Sequence, residues 1–408
     1  MNLKKYSTVL ENSISLFLLK VIDLGLTIWM IPYLIYKVGL NNYGVYAFAM
    51  SLVLFFVNIL NYGFNLSTVR EIAKNSRDNA ILNKIFNEVF NVKLLLYLGL
   101  SVLFYLLVLC VPKFSQYFRL YFYCSLLLFS DLFSLRWFFY GIEKMKYITI
   151  ASFIGISIYA VLVLIFIDKP SDFINIPLFE SIGMATVTIV TFVLVLQTHQ
   201  FKIRFLPLIE IVNYLKNNFS SFINLMLPST YNTTIVFLVG LLGAPIHVGV
   251  MQIGVKITAV FSTVNTILTT VFYPIVNRHK KLIVPTRFVI NCIGGFLSLI
   301  MCFFAEFLII NWIKFSNSLE IQNTISVVRI LSPIPLLMGL ISSYGIHGLL
   351  SGYKDLLFSK ITFLSTFAMV VLAFVLVPRF EVFGGAVAFL IGRVLYAVLS
   401  MRFYSKSH

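Results

Sequence analysis

Apolar residues in this chain gather into long unbroken runs, not the half-apolar stripes of a water-soluble domain. A run of about 20 apolar residues, rising 1.5 Å per residue, crosses a hydrocarbon layer roughly 30 Å thick, so each run predicts one membrane-spanning helix. The runs place about twelve spans, at 13–36, 43–64, 88–111, 117–140, 148–167, 175–198, 218–242, 246–276, 288–310, 323–350, 357–378 and 382–401. The first run, Ser13 to Ile35, is too long for a signal-peptide apolar region and lacks a small-residue cleavage site, so it counts as a span. Connections between runs are short and leave no room for a soluble domain.

Composition agrees: 60% of residues are hydrophobic and 11% charged, against roughly 45–50% and about 25% in ordinary soluble domains. The net charge of +16 could suggest nucleic acid, but the cations sit in short loops between apolar runs, where topology explains them. One set of connections holds Lys4, Lys5, Arg70, Lys74, Arg77, Lys84, Lys144, Lys146, Lys202, Arg204 and Lys216. It continues with Arg278, Lys280, Lys281, Arg287, Lys354, Lys360, Arg402 and Lys406. The alternate set has only Lys37, Lys113, Arg119, Lys169, Lys314 and Arg379. The positive-inside rule then predicts both termini in the cytoplasm, and an even span count agrees by placing the two termini on one side. Cys110, Cys124, Cys292 and Cys302 have neither metal-ligand spacing nor a disulfide pattern. The sequence contains no Walker A motif, metal triad, nucleophile elbow or dinucleotide fingerprint, which argues against an enzyme and against a cofactor.

A weak internal duplication divides the chain. Gly39 with Tyr43-Gly44-Val45 in the first half corresponds to Gly243 with Val248-Gly249-Val250 in the second. The segment Trp137 to Glu143 corresponds to Gly348 to Lys354. The predicted organisation is a six-helix bundle over 1–200, a cytoplasmic linker over 201–217 and a second six-helix bundle over 218–408. Six is even, so the halves have parallel topology, and two such bundles enclose a cavity.

Charge within a span costs roughly 2.5–3.5 kcal/mol on insertion scales and therefore faces protein or water. Lys20 and Asp23 share one helical face in span 1; Asp131 and Arg136 lie in span 4; Glu180 and Glu306 lie near outer ends. Lys256 and Arg393 are near mid-membrane with no acid three or four residues away, and Arg329 lies in the outer part of span 10. Pairing or snorkelling explains several of these. The expected substrate-binding set is Lys20, Lys256, Arg393, Arg136 and Arg329, a cationic cavity suited to a phosphate or an acidic sugar. Pro32 and Pro228, each in the first helix of its half, and Pro333 with Pro335 in span 10 are expected kinks and hinges.

The N-terminal run Pro32-Tyr33-Leu34, Val38-Gly39-Leu40 through Tyr43-Gly44-Val45-Tyr46, Leu60-Asn61-Tyr62-Gly63-Phe64 and Arg70-Glu71-Ile72-Ala73 resembles bacterial polysaccharide exporters of the O-antigen flippase (Wzx) type. So does Trp137 to Lys146, and so does Val248-Gly249-Val250 with Lys256 and Tyr273-Pro274. These exporters belong to the multidrug/oligosaccharidyl-lipid/polysaccharide exporter superfamily. The resemblance implies an all-α integral membrane fold of two six-helix bundles, MATE-like, in a bacterial inner membrane. It implies undecaprenyl-diphosphate-linked oligosaccharide as cargo, moved from the cytoplasmic to the periplasmic leaflet. Membrane lipids, an O-antigen polymerase and a chain-length regulator are the implied partners. Ion coupling in the family makes Asp23 and Asp131 candidate coupling carboxylates, because burial raises a carboxyl pKa. Two rivals stay open: an ion-coupled multidrug exporter of the same superfamily, and a membrane-embedded glycosyltransferase or polymerase, which usually needs larger outer loops.

Overall fold

The computed structural model describes residues 3–278, 282–313, 315, 317–350 and 354–405. Among these, regular structure is entirely helical. α1 (Leu3–Val38) and α2 (Leu40–Leu60) meet at Gly39, where a φ of +80° favours a residue without a Cβ. α3 (Ser67–Lys74) is short and amphipathic and buries Thr68 and Ile72. α4 (Asn79–Cys110) leads through the turn-length α5 (Pro112–Ser115) into α6 (Phe118–Leu132) and α7 (Arg136–Gly141). α8 (Met145–Phe166) and α9 (Ile176–His199) follow. α10 (Leu208–Leu242), α11 (Pro245–Arg278), α12 (Ile283–Phe303) and α13 (Ala305–Trp312) continue the chain. α14 (Ser318–Leu331) and α15 (Ile334–Leu340) run into a π-helical stretch, Ile341–Leu350, before α16 (Asp355–Ser405).

Among the described residues, ten helical stretches are long and apolar enough to cross a membrane. The last of them, Leu356–Ser405, accounts for two spans. At Glu381 the backbone leaves the helix (φ 54°, ψ −128°) and the chain doubles back. Gly384 then packs on the carbonyl of Leu376, and Gly392 on Met369 and Ser365. α1, with its apolar segment Ile28–Val38, supplies the twelfth. Side chains such as Val102 (62% exposed) and Phe303 (76%) point outward from the described units, which suits hydrocarbon and not water. This is the all-α, multi-pass membrane fold that the apolar runs predict.

Boundaries differ where local chemistry decides them. α4 starts at Asn79, ahead of the expected 88, because the Asp78 carboxylate accepts hydrogen bonds from the Ala80 (2.9 Å) and Ile81 (3.1 Å) amides and caps it. Only 201–207 of the expected linker is non-helical; α10 begins just after Pro207.

The chain groups into two compact units: Met1–Ile28 with Ala49–Thr230, and Trp29–Phe48 with Tyr231–His408. The first has an aromatic core in which Phe86 meets Phe90, Trp137, Phe192 and Phe201 at ring separations of 5.3 to 6.4 Å. It also ties down the linker. Asn79, Asn83, Asn87 and Asn91 recur every four residues along α4. Four helical residues rise about 6 Å, close to the roughly 6.6 Å spanned by two extended residues. Asn83, Asn87 and Asn91 therefore meet alternate peptides of the linker, and Asn79 meets the end of α9 just before it. Asn87 donates to the Lys202 carbonyl (2.9 Å) and accepts from the Arg204 amide (2.6 Å). Asn91 does the same for the Arg204 carbonyl (2.8 Å) and the Leu206 amide (3.2 Å). Asn83 accepts from the Lys202 amide (3.2 Å), and Asn79 donates to the His199 carbonyl (2.7 Å). Just beyond, Tyr62 donates to the Leu215 carbonyl (3.0 Å), and Tyr214 pairs with Thr68 (2.8 Å). Burial raises the Tyr214 phenol above its usual range, so it acts as a neutral hydrogen-bonding group.

In the second unit, backbones approach at glycine. A Cβ on Gly44 falls 1.8 Å from the Pro245 carbonyl oxygen, and one on Gly249 falls 2.7 Å from that of Leu40. These are the paired glycines of the internal duplication, and they pack the starts of α2 and α11 against each other.

A candidate substrate cavity and the buried charges around it

The first unit contains a cavity of about 160 Å³ bounded by Leu26 of α1, the break between α6 and α7, and facing sides of α8 and α9. At about 30 Å³ per water this is room for roughly five waters, or for a group of phosphate size. Its polar lining includes Arg136, Glu180, Ser134, Tyr147, Tyr159 and Thr188.

Lys93 of α4 explains how Arg136 reaches this space. α6 stops at Leu132, and 133–135 must turn before α7 begins, leaving carbonyls without helical partners. The Lys93 ammonium, 1% exposed, donates to the main-chain oxygens of Asp131 (2.5 Å) and Ser134 (3.4 Å). It also pairs with the Asp131 carboxylate at 3.3 Å. One side chain thus caps the C-terminus of α6 and neutralises a buried acid. Arg136 then opens α7 with its side chain exposed, while Trp137 and Phe138 turn into the core. Gly141 seats α7 against Ile72 of α3; a Cβ there meets the isoleucine Cγ2 at 2.5 Å.

α8 and α9 cross backbone to backbone. A Cβ on Gly183 falls 2.3 Å from the Gly155 carbonyl oxygen, and one on Gly155 falls 3.1 Å from that of Gly183. Small residues at such a crossing let membrane helices touch and then diverge. Gly155 itself lines the cavity.

Arg136 is the expected site residue that lines this cavity. The side chains of Lys20 and Asp23 lie outside the described residues. Asp131 is buried and held by Lys93. In the second unit, Arg393 is 7% exposed and stacks 3.9 Å over the Tyr231 ring and 5.4 Å from Phe389. Its Nη2 donates to Asn232 Oδ1 at 2.8 Å, and its Nε has no partner. Among the described residues no carboxylate pairs with it. Lys256 is half-buried on α11, with no side-chain partner among the described residues. Arg329 pairs with Glu306 at 3.1 Å, and both side chains are well exposed.

The prolines differ in what they do. Pro32 and Pro228 lie inside the continuous helices α1 and α10. Pro333 and Pro335 coincide with the break between α14 and α15. There Asn265 of α11 donates to the Pro335 carbonyl (2.6 Å), and the Leu336 amide donates to Ser298 of α12 (3.0 Å). These bonds tie the start of α15 to α11 and α12, and the second gives a first-turn amide of α15 a partner.

Sequence reasoning missed Lys93, although a lysine inside an apolar run was the available signal. It also missed the four-residue asparagine spacing on α4, which was visible as a pattern but had no assigned partner.

The family model described as polysaccharide biosynthesis protein matches residues 9–280. The chain is 27% identical over 380 residues to the protein named "Putative O-antigen transporter" of Escherichia coli (strain K12), covering 91% of each. Among solved structures it resembles the lipid II flippase MurJ in an inward closed conformation, with a TM-score of 0.72 and 14% identity. That match covers 97% of this chain and 87% of the other. It also resembles an inward-facing multidrug resistance MATE family transporter of the MOP superfamily, with a TM-score of 0.69 and 16% identity over 94% of each. At these identities the solved structures speak to the fold alone.

Proposed function

The chain belongs to the polysaccharide biosynthesis protein family, and from that premise we propose that it is a flippase for a polyprenyl-diphosphate-linked oligosaccharide. The cargo is an O-antigen or capsule repeat unit, carried from the cytoplasmic to the periplasmic leaflet of a bacterial inner membrane with both chain termini cytoplasmic. The observation that carries the reading is a cavity in the first unit whose lining combines apolar side chains with Ser134, Thr188, two tyrosines and the exposed Arg136. A guanidinium grips phosphate bidentately and stays charged at any working pH. Transport to an O-antigen polymerase and chain-length regulator fits the same cargo.

The mechanism is alternating access of two bundles, 1–200 and 218–408, joined by the linker 201–217. Arg136 takes the diphosphate, Lys20, Lys256 and Arg393 bind acidic groups as the cargo advances, and Arg329 contributes once freed from Glu306. Pro32, Pro228, Pro333 and Pro335 serve as the flexing points. Asp23 and Asp131 are the coupling carboxylates.

The test is complementation of a strain lacking its O-antigen flippase. The parent chain restores surface polysaccharide, while Arg136→Ala, Lys256→Ala and Arg393→Ala, at normal membrane levels, do not. Full export by all three variants removes the cationic-cavity mechanism. The superfamily's multidrug branch remains the second reading, because the Glu180 carboxylate shares the cavity with Arg136. It predicts resistance to cationic dyes on expression, with no return of polysaccharide.

A further inference from the structure

A second space of about 350 Å³ lies between α8 and α9, on the side of their glycine crossing toward Lys144 and His199. Its walls are apolar and outward-facing: Ile150, Ile154, Val190 and Leu194 are each about half exposed. Lys144 and His199 stand at its end. It shares Phe139, Tyr147, Ala151, Val187 and Thr191 with the polar cavity, so the two are neighbours through a common wall.

We propose that this groove binds the isoprenoid tail of the cargo, next to the phosphate it carries. The proposal rests on the reading of the polar cavity as a phosphate site. Three observations select this occupant. The groove adjoins a polar space that holds an arginine, so an anionic head and an apolar tail of one molecule fit the two together. The Lys144 ammonium at its end complements a phosphate rather than a neutral lipid. Its walls, dominated by Ile150, Ile154, Val190 and Leu194, offer a saccharide few hydrogen-bond partners and suit a length of hydrocarbon chain, in a volume at the low end of the roughly 300–1,000 Å³ of ligand sites. Gly155 and Gly183 bring the two helices into backbone contact at the crossing, so the groove lies beside a contact that the fold itself fixes.

The test is photolabelling of the purified full chain in lipid nanodiscs with a diazirine-tagged polyprenyl diphosphate, alongside diazirine-tagged phosphatidylglycerol. The polyprenyl probe labels peptides containing 150–154 and 190–194, and untagged polyprenyl diphosphate suppresses the labelling while excess phosphatidylglycerol does not. Val190→Trp, which fills the groove, lowers that labelling severalfold, because the indole occupies the space the tail would take. Ile154→Trp, on the facing wall, does the same and guards against a folding defect in either variant, with monodisperse elution required of both. Equal labelling by the phosphatidylglycerol probe, or unchanged labelling in both tryptophan variants, overturns the proposal. Export separates the two readings. If Arg136→Ala fails to export while Val190→Trp labels and exports as the parent does, the groove falls and the cavity stands. If Arg136→Ala exports normally while the labelling pattern holds, the cavity reading falls and the groove stands.

Discussion

Replacing Asn87 with leucine isolates the bond pattern that straps the linker to α4. Asn87 is 4% exposed and bridges two linker peptides, donating to the Lys202 carbonyl at 2.9 Å and accepting from the Arg204 amide at 2.6 Å. Leucine keeps the volume and loses both bonds. Lys202 and Arg204 are themselves exposed, so water replaces part of what is lost, and the net value of a hydrogen bond applies rather than the full cost of burying a bare amide. At about 0.5–1.5 kcal/mol per bond, the pair is worth roughly 1–3 kcal/mol. Local opening of 201–206 therefore becomes roughly five- to 150-fold more frequent. Hydrogen exchange of the purified protein, read by mass spectrometry on peptides spanning 200–207, measures this directly. Exchange in Asn87→Leu within about twofold of the parent, where twofold is only about 0.4 kcal/mol, refutes the strap.

Other perturbations test the remaining architecture. Lys93→Met strands a buried carboxylate and destabilises the first unit by about 3–5 kcal/mol, while Lys93→Met with Asp131→Leu recovers most of it; thermal unfolding in detergent compares them, and an unimpaired single variant refutes the pairing argument. Gly44→Ala places a Cβ 1.8 Å from the Pro245 carbonyl oxygen and costs about 1–3 kcal/mol, whereas Gly99→Ala has nothing within 4 Å and is neutral or stabilising by up to about 1 kcal/mol. The same melts report both, and equal effects contradict the close approach. Arg393→Lys keeps a charge but loses the planar stack on Tyr231 and the directed bond to Asn232. It exports less than the parent in the complementation strain at matched expression, and parental export shows that charge alone suffices.

The helices were legible because the membrane imposes a length. Any run of about 20 apolar residues can satisfy its backbone only by coiling, and spans read on that basis alone fall close to α1, α2, α8 and α9. Charges inside the spans were legible as positions but not as partnerships. Asp131 meets Lys93, 38 residues away on another helix, and no local spacing rule reaches that far. The same limit applies to Asn87, whose four-residue repeat becomes meaningful only when an extended segment lies beside it. Gly183 was likewise visible as a residue, but its role depends on the Gly155 carbonyl across the helix pair.

The two units treat buried cations differently, and the difference bears on transport. In the first, Lys93 is closed off: an acid and two carbonyls occupy its three donors, so it fixes geometry and has no bond to spare for cargo. In the second, Arg393 has one amide oxygen and two aromatic faces but no carboxylate among the described residues. Aromatic faces attract a guanidinium without cancelling its charge, so Arg393 keeps a net positive field inside an apolar bundle. A cation maintained in that way costs stability with no structural return of the kind Lys93 provides, which is the pattern expected of a group kept for a ligand. Removing each charge should therefore give opposite signatures. Lys93→Met lowers the melting temperature and reduces export in proportion to the folded protein remaining. Arg393→Leu, which removes a desolvated charge and restores apolar packing, leaves the melting temperature level or higher while export is lost. A drop in stability for Arg393→Leu as large as that for Lys93→Met places both residues in structural roles and refutes this division.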